Sequence, residues 1–338
     1  MVAVCDINLS RAQAAQKLYG IPAAFDRLEV MLREARPDAV HVLLPPELHA
    51  EAAEQCLTNG AHVYMEKPFC VTVEECRRID NLAQRHGLQA GVNHNLIFRP
   101  AFLQLLDAIR ECRFGAVEHV QMMFTAPMPR IEYATPNLWM FTAPDRIMLE
   151  LGPHPLSVCI RLVGRALRAA TAVSGEVTLS NGVQFFKTWQ TSLVCERGTA
   201  QCTFSVDGSY PAMAVHVIGE DAQAFVDLRR NTLQIIDKTH YMRLDDTVNG
   251  WKNSSALRRQ TLGNFKKYAL GAVGVGPKYD LQGSSFVENI AAFYRALAAG
   301  KRPRLDAAEG TAVVEACQMI IDSAISFTEQ TEERVAAV

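Results

Sequence analysis

A lysine that directly follows a predicted buried strand is the first candidate for chemistry. Lys67 lies in the tripeptide Glu66-Lys67-Pro68, immediately after the apolar segment His62–Met65. Ligands of a parallel sheet gather beyond the carboxyl ends of its strands, so we expect Lys67 to point into a ligand-binding cleft. There its amine could polarise a substrate hydroxyl or carbonyl and exchange a proton, while Glu66 could hold the lysine or bind a ribose. The plainer alternative is a solvated Glu–Lys pair at a strand end.

A histidine at the start of a predicted helix is the second candidate. His154 precedes Pro155 and the apolar stretch Leu156–Val163, which together predict a buried helix with proline in its first turn. A helix N-terminus disfavours the imidazolium form, so we expect a neutral ring that can accept a proton. The alternative is a structural histidine that caps this helix.

The elements that must position Lys67 alternate between strand and helix. Apolar strands are predicted at Val2–Cys5, Ala39–Leu44, His62–Met65 and Leu88–Val92, with one or two helices between successive strands. Strands of this kind, without polar alternation, are typical of a parallel sheet covered on both faces. Thr72 and Glu75 predict a capping box for one of the helices. We therefore predict a doubly wound, Rossmann-type α/β domain over residues 1–97.

The elements that must position His154 are mostly consecutive strands, rather than strands that alternate with helices. Six predicted strands between residues 117 and 228 follow one another mostly without helices, and glycine-containing turns such as Ser180-Asn181-Gly182 separate several of them. Two closing helices are predicted at about Ser285–Ala299 and Ala307–Phe327. Residues 98–338 are therefore predicted to form an α+β domain with a large antiparallel sheet, used for substrate binding and oligomerisation.

The start of the predicted Rossmann-type domain lacks one expected feature. A dinucleotide-binding unit normally opens with a strand, a glycine-rich turn and a helix, and no such glycine fingerprint is present here. Asp6, after the first predicted strand, stands where an acid would accept hydrogen bonds from an adenosine ribose. We therefore hypothesise that the natural protein carries roughly 25–35 further N-terminal residues, the length of one strand–loop–helix unit. The absent strand would lie at the centre of the sheet, where its loss leaves backbone groups unpaired on both neighbours.

Composition narrows the classes of partner. The 36 acidic and 34 basic residues give a net charge of −2, which gives no reason to expect a nucleic acid or an anionic membrane as partner. No apolar run reaches the ~18 residues of a spanning helix. The nine cysteines are scattered without a C-x-x-C pair, so we expect reduced thiols in a cytoplasmic protein and no metal site.

Five segments share their order and spacing with a known family. They are Leu43-Leu44-Pro45-Pro46-Glu47-Leu48-His49, Gly60-Ala61-His62-Val63, Glu66-Lys67-Pro68, Gly91-Val92-Asn93-His94-Asn95 followed by Pro100, and Glu150-Leu151-Gly152-Pro153-His154-Pro155. Together they resemble the glucose–fructose oxidoreductase / inositol dehydrogenase / MocA family, over most of the chain. The resemblance implies an NAD(P)-dependent oxidoreductase of sugar-like alcohols.

The resemblance also implies roles for single residues. Lys67 would handle a proton beside the nicotinamide, His154 would be the catalytic histidine, and Glu150 would be its acidic neighbour. Asp6 would bind the adenine ribose and favour NAD over NADP, because a carboxylate repels a 2′-phosphate. The other positions along the cofactor would be Leu44, Pro45, His49, Glu66, Asn93 and His94. By residue type alone, Asn95 could reach a substrate hydroxyl and Trp139 could stack on a sugar, although an aromatic residue here could equally belong to the core.

Two positions depart from the family pattern. Glu150 replaces what is commonly an aspartate, and Ser157 stands where an aspartate is frequent, so the substrate or part of the acid–base machinery could differ. We predict hydride transfer to or from a secondary alcohol of a sugar, cyclitol or nucleotide sugar by a homodimer or homotetramer. The oligomer would form if the second face of the large sheet is apolar. A redox-assisted epimerase or glycosidase, and a non-catalytic sugar-binding or oligomerising member, stay open.

Overall fold

The chain folds into two compact units, each with its own sheets. The computed structural model describes residues 1–128, 131, 138–239, 242–275 and 280–336. The first unit comprises Met1–Asn93 together with Ile290–Val314, and the second comprises His94–Asn289 together with Glu315–Val338. The predicted domain division at residue 97 takes no account of the later segment 290–314, and it stays a prediction.

The first unit alternates short parallel strands with helices, as predicted. Its elements are β1 (Ala3–Cys5), α1 (Leu9–Tyr19), β2 (Ala23–Phe25), α2 (Leu28–Ala35), β3 (Ala39–Val42), α3 (His49–Thr58), β4 (His62–Met65), α4 (Val73–His86) and β5 (Ala90–Val92). Thr72 and Glu75 form the predicted capping box at the start of α4. Gly87 ends α4 in the left-handed conformation, with φ of 65°, which glycine adopts without strain.

The parallel strands of this unit form two sheets rather than one continuous sheet. β1 pairs with β2, while β3, β4 and β5 pair in that order. Within the described residues β1 and β3 are therefore not hydrogen-bonded to each other. The predicted strand 39–44 ends at Val42, the predicted strand 88–92 begins at Ala90, and β2 was not predicted.

The later segment 290–314 packs onto β5. A Cβ atom added at Gly91 would lie 2.6 Å from Cδ2 of Phe293, so only glycine lets this ring approach so closely. The backbone N–H of Val92 donates to the carbonyl oxygen of Leu305 at 3.1 Å. This late segment is therefore part of the core of the first unit.

The second unit is built on a seven-stranded sheet. Its strands are β6 (Val117–Thr125), β7 (Ala166–Thr178), β8 (Gln184–Cys195), β9 (Gly198–Ser205), β10 (Ala212–Gly219), β11 (Ala222–Asp227) and β12 (Thr232–Asp237), in the spatial order β12-β11-β10-β6-β9-β8-β7. Neighbours are antiparallel except β6 and β9, which are parallel. The prediction of an antiparallel sheet is thus corrected to a mixed, mostly antiparallel one, and the edge strand β12 was not predicted.

Helices cover one face of this sheet. They include α5 (Pro100–Arg110), α6 (Arg146–Leu151) and α7 (Pro153–Val163), and α7 packs on β6 and β9. The opposite face carries exposed Gln121, Gln190 and Gln201 beside exposed Met123 and Phe225, so it is mixed rather than uniformly apolar. The predicted oligomer stays a prediction.

Three longer helices complete the described chain. They are α8 (Met242–Ala272), α9 (Leu281–Ala298) and α10 (Ala307–Ala336). The last two correspond to the predicted closing helices, whereas the 31-residue α8 was not predicted. None of the described helices combines the length and the apolar character that crossing a bilayer requires.

Candidate functional site

The segment that contains Lys67 lies where the sequence places it, at the carboxyl end of β4. Val63, Tyr64 and Met65 of this strand are buried, and Glu66 and Lys67 follow it, each partly exposed. The backbone N–H of Glu66 donates to the carbonyl oxygen of Val42 at 3.1 Å, which extends the pairing of β3 and β4 by one residue.

A hydrogen bond joins the side chains that follow β4 and β5. The Asn93 amide Nδ2 donates to Glu66 Oε1 at 2.7 Å, and the backbone N–H of Asn93 donates to the carbonyl oxygen of Met65 at 2.9 Å. Asn93 is buried, so the carboxylate of Glu66 is held by a fixed donor. The structure thus brings together two predicted cofactor-binding residues, Glu66 and Asn93.

His49 links two loops at the same edge of the sheet. Its ring is fully buried at the start of α3. Nδ1 lies 2.9 Å from the carbonyl oxygen of Pro68, and Nε2 lies 2.9 Å from the carbonyl oxygen of Leu44. The histidine therefore ties the loop after β3 to the loop that follows Lys67, whose peptide bond to Pro68 is cis. The sequence analysis placed His49 near the cofactor but did not foresee this positioning contact.

The loops after β3 and β1 offer the other predicted cofactor positions. Leu43, Leu44 and Pro45 are exposed at the carboxyl end of β3. Asp6 follows β1, is partly exposed, and accepts a hydrogen bond at Oδ1 from the backbone N–H of Asn8 at 2.8 Å. Each of these residues lies beyond the carboxyl end of its strand; Asp6 was predicted there, whereas Leu43 and Leu44 were predicted to belong to the buried strand itself.

These residues fit parts of a dinucleotide. The carboxylates of Asp6 and Glu66 can accept hydrogen bonds from ribose hydroxyls, and the exposed side chains of Leu43 and Leu44 offer apolar surface for a planar ring. The turn Asp6-Ile7-Asn8 after β1 contains no glycine. The chain therefore carries groups suited to the ribose and ring portions of NAD.

His154 is the second residue of α7. The helix begins at Pro153, two residues earlier than the predicted proline, and α6 ends at Leu151, so only Gly152 separates the two helices. A Cβ atom at Gly152 would lie 2.3 Å from the carbonyl oxygen of Met148, which only glycine avoids. The partly exposed His154 ring stacks on Phe124 of β6, with centroids 5.8 Å apart and planes 15° from parallel.

The two positions that depart from the family pattern differ in their surroundings. Ser157 is fully buried, and its Oγ donates to the carbonyl oxygen of His154 at 2.9 Å, within α7. Its hydroxyl is therefore used inside the helix and does not replace an ionised acid. Glu150 is partly exposed in the last turn of α6, four residues before His154.

A buried polar segment lies beside α7. His94, Asn95 and Arg99 are all buried, and the 3-10 turn Asn95–Phe98 packs against α7. Among the described residues Asn95 Oδ1 has no hydrogen-bond partner. A buried acceptor of this kind is costly unless a donor reaches it, so Asn95 suits the hydroxyl of a ligand.

One face of the Trp139 ring contacts a cation. The guanidinium carbon of Arg146 lies 5.2 Å from the centroid of its ring. Within the described part of the chain its indole Nε1 is buried without a hydrogen-bond partner. The predicted role of Trp139 in sugar stacking stays a prediction.

Two surface cavities of the first unit are lined by none of Lys67, Glu66 and Asn93. One is lined by residues before β3 and β4, including Asp38 and Gly60, and the other by residues before β5, including Gln89. Both lie at the amino ends of the strands, whereas Lys67, Glu66 and Asn93 follow the carboxyl ends. The described residues also contain no cluster of three or more His, Cys, Asp or Glu side chains suited to a metal ion.

The comparison with known families fits the geometry of the first unit. Residues 1–94 match the Gfo/Idh/MocA family, described as an oxidoreductase family with an NAD-binding Rossmann fold. The predicted resemblance to this family is thus confirmed over these residues, and with it the Rossmann-like character of a sheet that is split in two.

Three curated Gfo/Idh/MocA relatives illustrate the similarity. They are dTDP-3,4-didehydro-2,6-dideoxy-alpha-D-glucose 3-reductase of Streptomyces violaceoruber (29% identity; 62% of this chain and 60% of the relative), D-glucoside 3-dehydrogenase of Escherichia coli (39%; 48% and 46%), and UDP-N-acetylglucosamine 3-dehydrogenase of Acidithiobacillus ferrooxidans (27%; 80% and 78%). The chain therefore spans 60% and 46% of the lengths of the first two.

Solved structures agree with the fold of the whole chain. Levoglucosan dehydrogenase, in a complex with NADH and levoglucosan, has a TM-score of 0.78 at 16% identity, covering 96% of this chain and 88% of its own. The Acidithiobacillus ferrooxidans dehydrogenase has a TM-score of 0.72 at 21% identity, covering 97% and 90%. These similarities confirm the predicted combination of a Rossmann-type sheet and an α+β unit.

Proposed function

We propose that this protein is a Gfo/Idh/MocA oxidoreductase that oxidises a secondary alcohol of a sugar or nucleotide sugar to a ketone, producing NADH and a proton, or catalyses the reverse reaction. The proposal rests chiefly on the Glu66-Lys67-Pro68 segment. It follows a buried parallel strand of a family whose fold binds NAD, and Asn93 and His49 hold its two ends.

The reacting carbon in this proposal is C3 of a pyranose ring. The three relatives above differ in what is attached to the sugar, since they are named for a dTDP sugar, a glucoside and a UDP sugar. All three names specify position 3. A shared position with different attachments favours a site that recognises the pyranose ring and tolerates variation at the anomeric substituent.

His154 and Lys67 divide the work on the substrate oxygen. His154 accepts the proton of the hydroxyl, and the Lys67 ammonium stabilises the negative charge that develops on the oxygen. Asn95 donates or accepts a hydrogen bond at a neighbouring hydroxyl. NAD, when bound, supplies the two-electron acceptor for the hydride. Asp6 favours NAD over NADP because its carboxylate repels a 2′-phosphate.

Isotope labelling tests the reaction and its position together. Methyl glucoside and UDP-N-acetylglucosamine, each with deuterium at C3 or at C2, are incubated with the protein and NAD. We expect deuterium at C3 to slow NADH formation and to appear in the cofactor, whereas deuterium at C2 should do neither. Transfer of label from C2, or no turnover of any sugar by protein that binds NAD, would contradict the proposal.

Substitutions test the assigned residues in the same assay. Lys67→Ala and His154→Gln should each lower kcat by about 10²–10⁴-fold, the usual contribution of a general acid or base. Lys17→Ala, a lysine in the last turn of α1, is the control and should retain full activity. Full turnover by Lys67→Ala would show that the site is wrongly assigned.

We also propose that the protein acts in the cytoplasm as a homodimer or homotetramer. The face of the seven-stranded sheet opposite to α7 supports this, because it exposes Met123 and Phe225 among its glutamines. Light scattering on the purified protein measures the mass of the assembly, and a strictly monomeric protein would contradict the proposal.

A further inference from the structure

The long helix α8 packs on the sheet through polar side chains. Gln260 closes the edge of β12: its Oε1 accepts from the backbone N–H of Leu233 at 2.8 Å, and its Nε2 donates to the carbonyl oxygen of Leu233 at 2.7 Å. Asn264 Nδ2 donates to the carbonyl oxygen of Asn231 at 3.1 Å. A surface helix normally turns its apolar side toward the protein, so this arrangement is inverted.

The most exposed apolar side chains of α8 lie on its opposite side. At 3.6 residues per turn, Leu244, Trp251 and Leu262 are about 180–200° around the helix from Gln260. Trp251 is 78% exposed, Leu262 is 64% exposed, and Phe265, on the same side, is 66% exposed. We call Leu244, Trp251, Leu262 and Phe265 the outer stripe of α8. Large apolar side chains gathered in this way mark a surface that another body covers.

Basic residues accompany the outer stripe. Residues 247–275 contain no Asp or Glu, and their five basic residues are Lys252, Arg258, Arg259, Lys266 and Lys267. The chain as a whole carries slightly more acidic than basic residues, so the positive charge of α8 is a local feature that the net charge conceals. By helical periodicity Lys252, Arg259 and Lys266 lie along one flank of the stripe.

A second copy of α8 is a poor cover for this stripe. α8 carries six basic residues and two carboxylates, Asp245 and Asp246, so pairing two such helices along their outer stripes would bring together an excess of four positive charges from each copy. The partner that covers the outer stripe should instead carry negative charge at its surface and have an apolar layer beneath that surface.

We propose that the outer stripe of α8 docks the protein onto an anionic lipid surface. A helix with Trp, Phe and Leu on one side and flanking Lys and Arg lies in the plane of the bilayer interface, with its apolar side chains among the headgroups. Anionic headgroups attract the basic flank, and the long lysine and arginine side chains reach them while their stems pack on apolar surface. The polar side that contacts β12 stays attached to the protein. This inference does not depend on the proposed redox function.

Vesicle binding tests the proposal directly. The full chain is sedimented with vesicles of phosphatidylcholine alone and with vesicles that also contain phosphatidylserine, at low and high salt. We expect binding only to the phosphatidylserine vesicles, weakening as salt rises, with a blue shift of tryptophan fluorescence that is lost in Trp251→Ser. No binding to either vesicle, or equal binding to both, would overturn the proposal.

Paired variants separate the two contributions. Leu262→Ser with Phe265→Ser should weaken binding at least tenfold by removing apolar contact. Lys252→Glu with Lys266→Glu should weaken it by more than about 25-fold, since each basic residue near an anionic surface contributes roughly fivefold. The matched control is Arg11→Glu with Lys17→Glu on α1, which makes the same charge change elsewhere and should leave binding unchanged.

Two further readouts distinguish lipid docking from unfolding and from self-association. Circular dichroism and thermal unfolding must match the wild type in the variants that lose binding, because a loss that follows unfolding would not support a docking surface. If the wild-type protein is an oligomer and the double variant Leu262→Ser with Phe265→Ser is a monomer, a second copy covers the stripe and the proposal is wrong.

Discussion

At the scale of single residues, His49 shows how a buried ring can join two loops of a candidate site. A neutral imidazole has one N–H donor, yet both nitrogens of His49 lie 2.9 Å from backbone carbonyl oxygens. The ring lies between Leu44 and Pro68 and donates to at least one of their carbonyl oxygens, and Pro68 follows the proposed proton-handling Lys67.

Replacing His49 should therefore affect both stability and the site. We expect His49→Leu to lower the free energy of unfolding by about 1–3 kcal/mol, because it leaves buried carbonyl oxygens without donors. It should also raise KM for NAD more than it lowers kcat, since the loop at Leu44 loses its anchor. Urea unfolding and steady-state kinetics measure the two effects. His86→Leu, at the exposed end of α4, should change stability by less than about 0.5 kcal/mol.

The candidate site was predictable from sequence only in part. The position of Glu66 and Lys67 after a buried strand follows from apolar pattern and strand order, and the structure agrees. The hydrogen bond from Asn93 to Glu66 joins residues 27 positions apart, and the contact of His49 with Pro68 joins residues 19 apart. Such contacts depend on how elements pack, which a local pattern does not contain. The use of the Ser157 hydroxyl inside α7 was hidden for a related reason, since its partner is a backbone carbonyl.

At the scale of elements, the capping box of α4 is a local feature that sequence and structure share. Thr72 Oγ1 accepts from the backbone N–H of Glu75 at 3.2 Å, and the Glu75 carboxylate accepts from the backbone N–H of Thr72 at 3.0 Å. Because both partners lie within one turn, the motif was readable directly from residue types.

Loss of this cap should destabilise the first unit. Thr72→Ala is expected to lower the free energy of unfolding by about 0.5–2 kcal/mol, because the first turn of α4 loses its side-chain acceptor. Thr58→Ala is the control, since Thr58 is exposed at the end of α3 and alanine favours helix. Chemical denaturation should show a lower midpoint for the first variant alone, and equal midpoints for both would contradict the expectation.

Elements defined by distant partners escaped prediction. β2 is only three residues long and becomes a strand because β1 lies beside it. The parallel pairing of β6 with β9 depends on the order of strands in the finished sheet. α8 contains Gly250 and Gly263 and contacts the sheet through polar residues, so the usual apolar period of a buried helix face is absent.

At the scale of the whole molecule, two partly buried histidines make stability depend on pH. Burial lowers the pKa of His41 from its ordinary value of 6.5, and the pKa of His62 shifts in the same direction against the opposing charge of Asp38. The unfolded chain therefore binds more protons than the folded one just below pH 6.5. The stability that these uncharged histidines contribute is fully present above that pH and is lost as the pH falls below it.

His41 offers a specific check of this dependence. Its Nε2 lies 2.9 Å from the hydroxyl of Tyr294, and glutamine can keep a hydrogen bond there without titrating. We expect the fall in urea midpoint between about pH 7.5 and about pH 5 to be smaller in His41→Gln than in the wild type. Tyr294→Phe keeps the histidine buried and should retain the pH dependence. Identical slopes in His41→Gln and the wild type would show that burial of His41 does not contribute.

Phe293 packs over Gly91, and Leu305 is hydrogen-bonded to Val92. The core of the first unit is therefore completed only after residues 290–314 have been synthesised. A ribosome that has just released residue 93 must add about 200 more before the segment that finishes this core emerges, roughly 10–40 s at the usual rates of synthesis. Until then the nascent chain exposes the unfinished side of β5, where chaperones can bind.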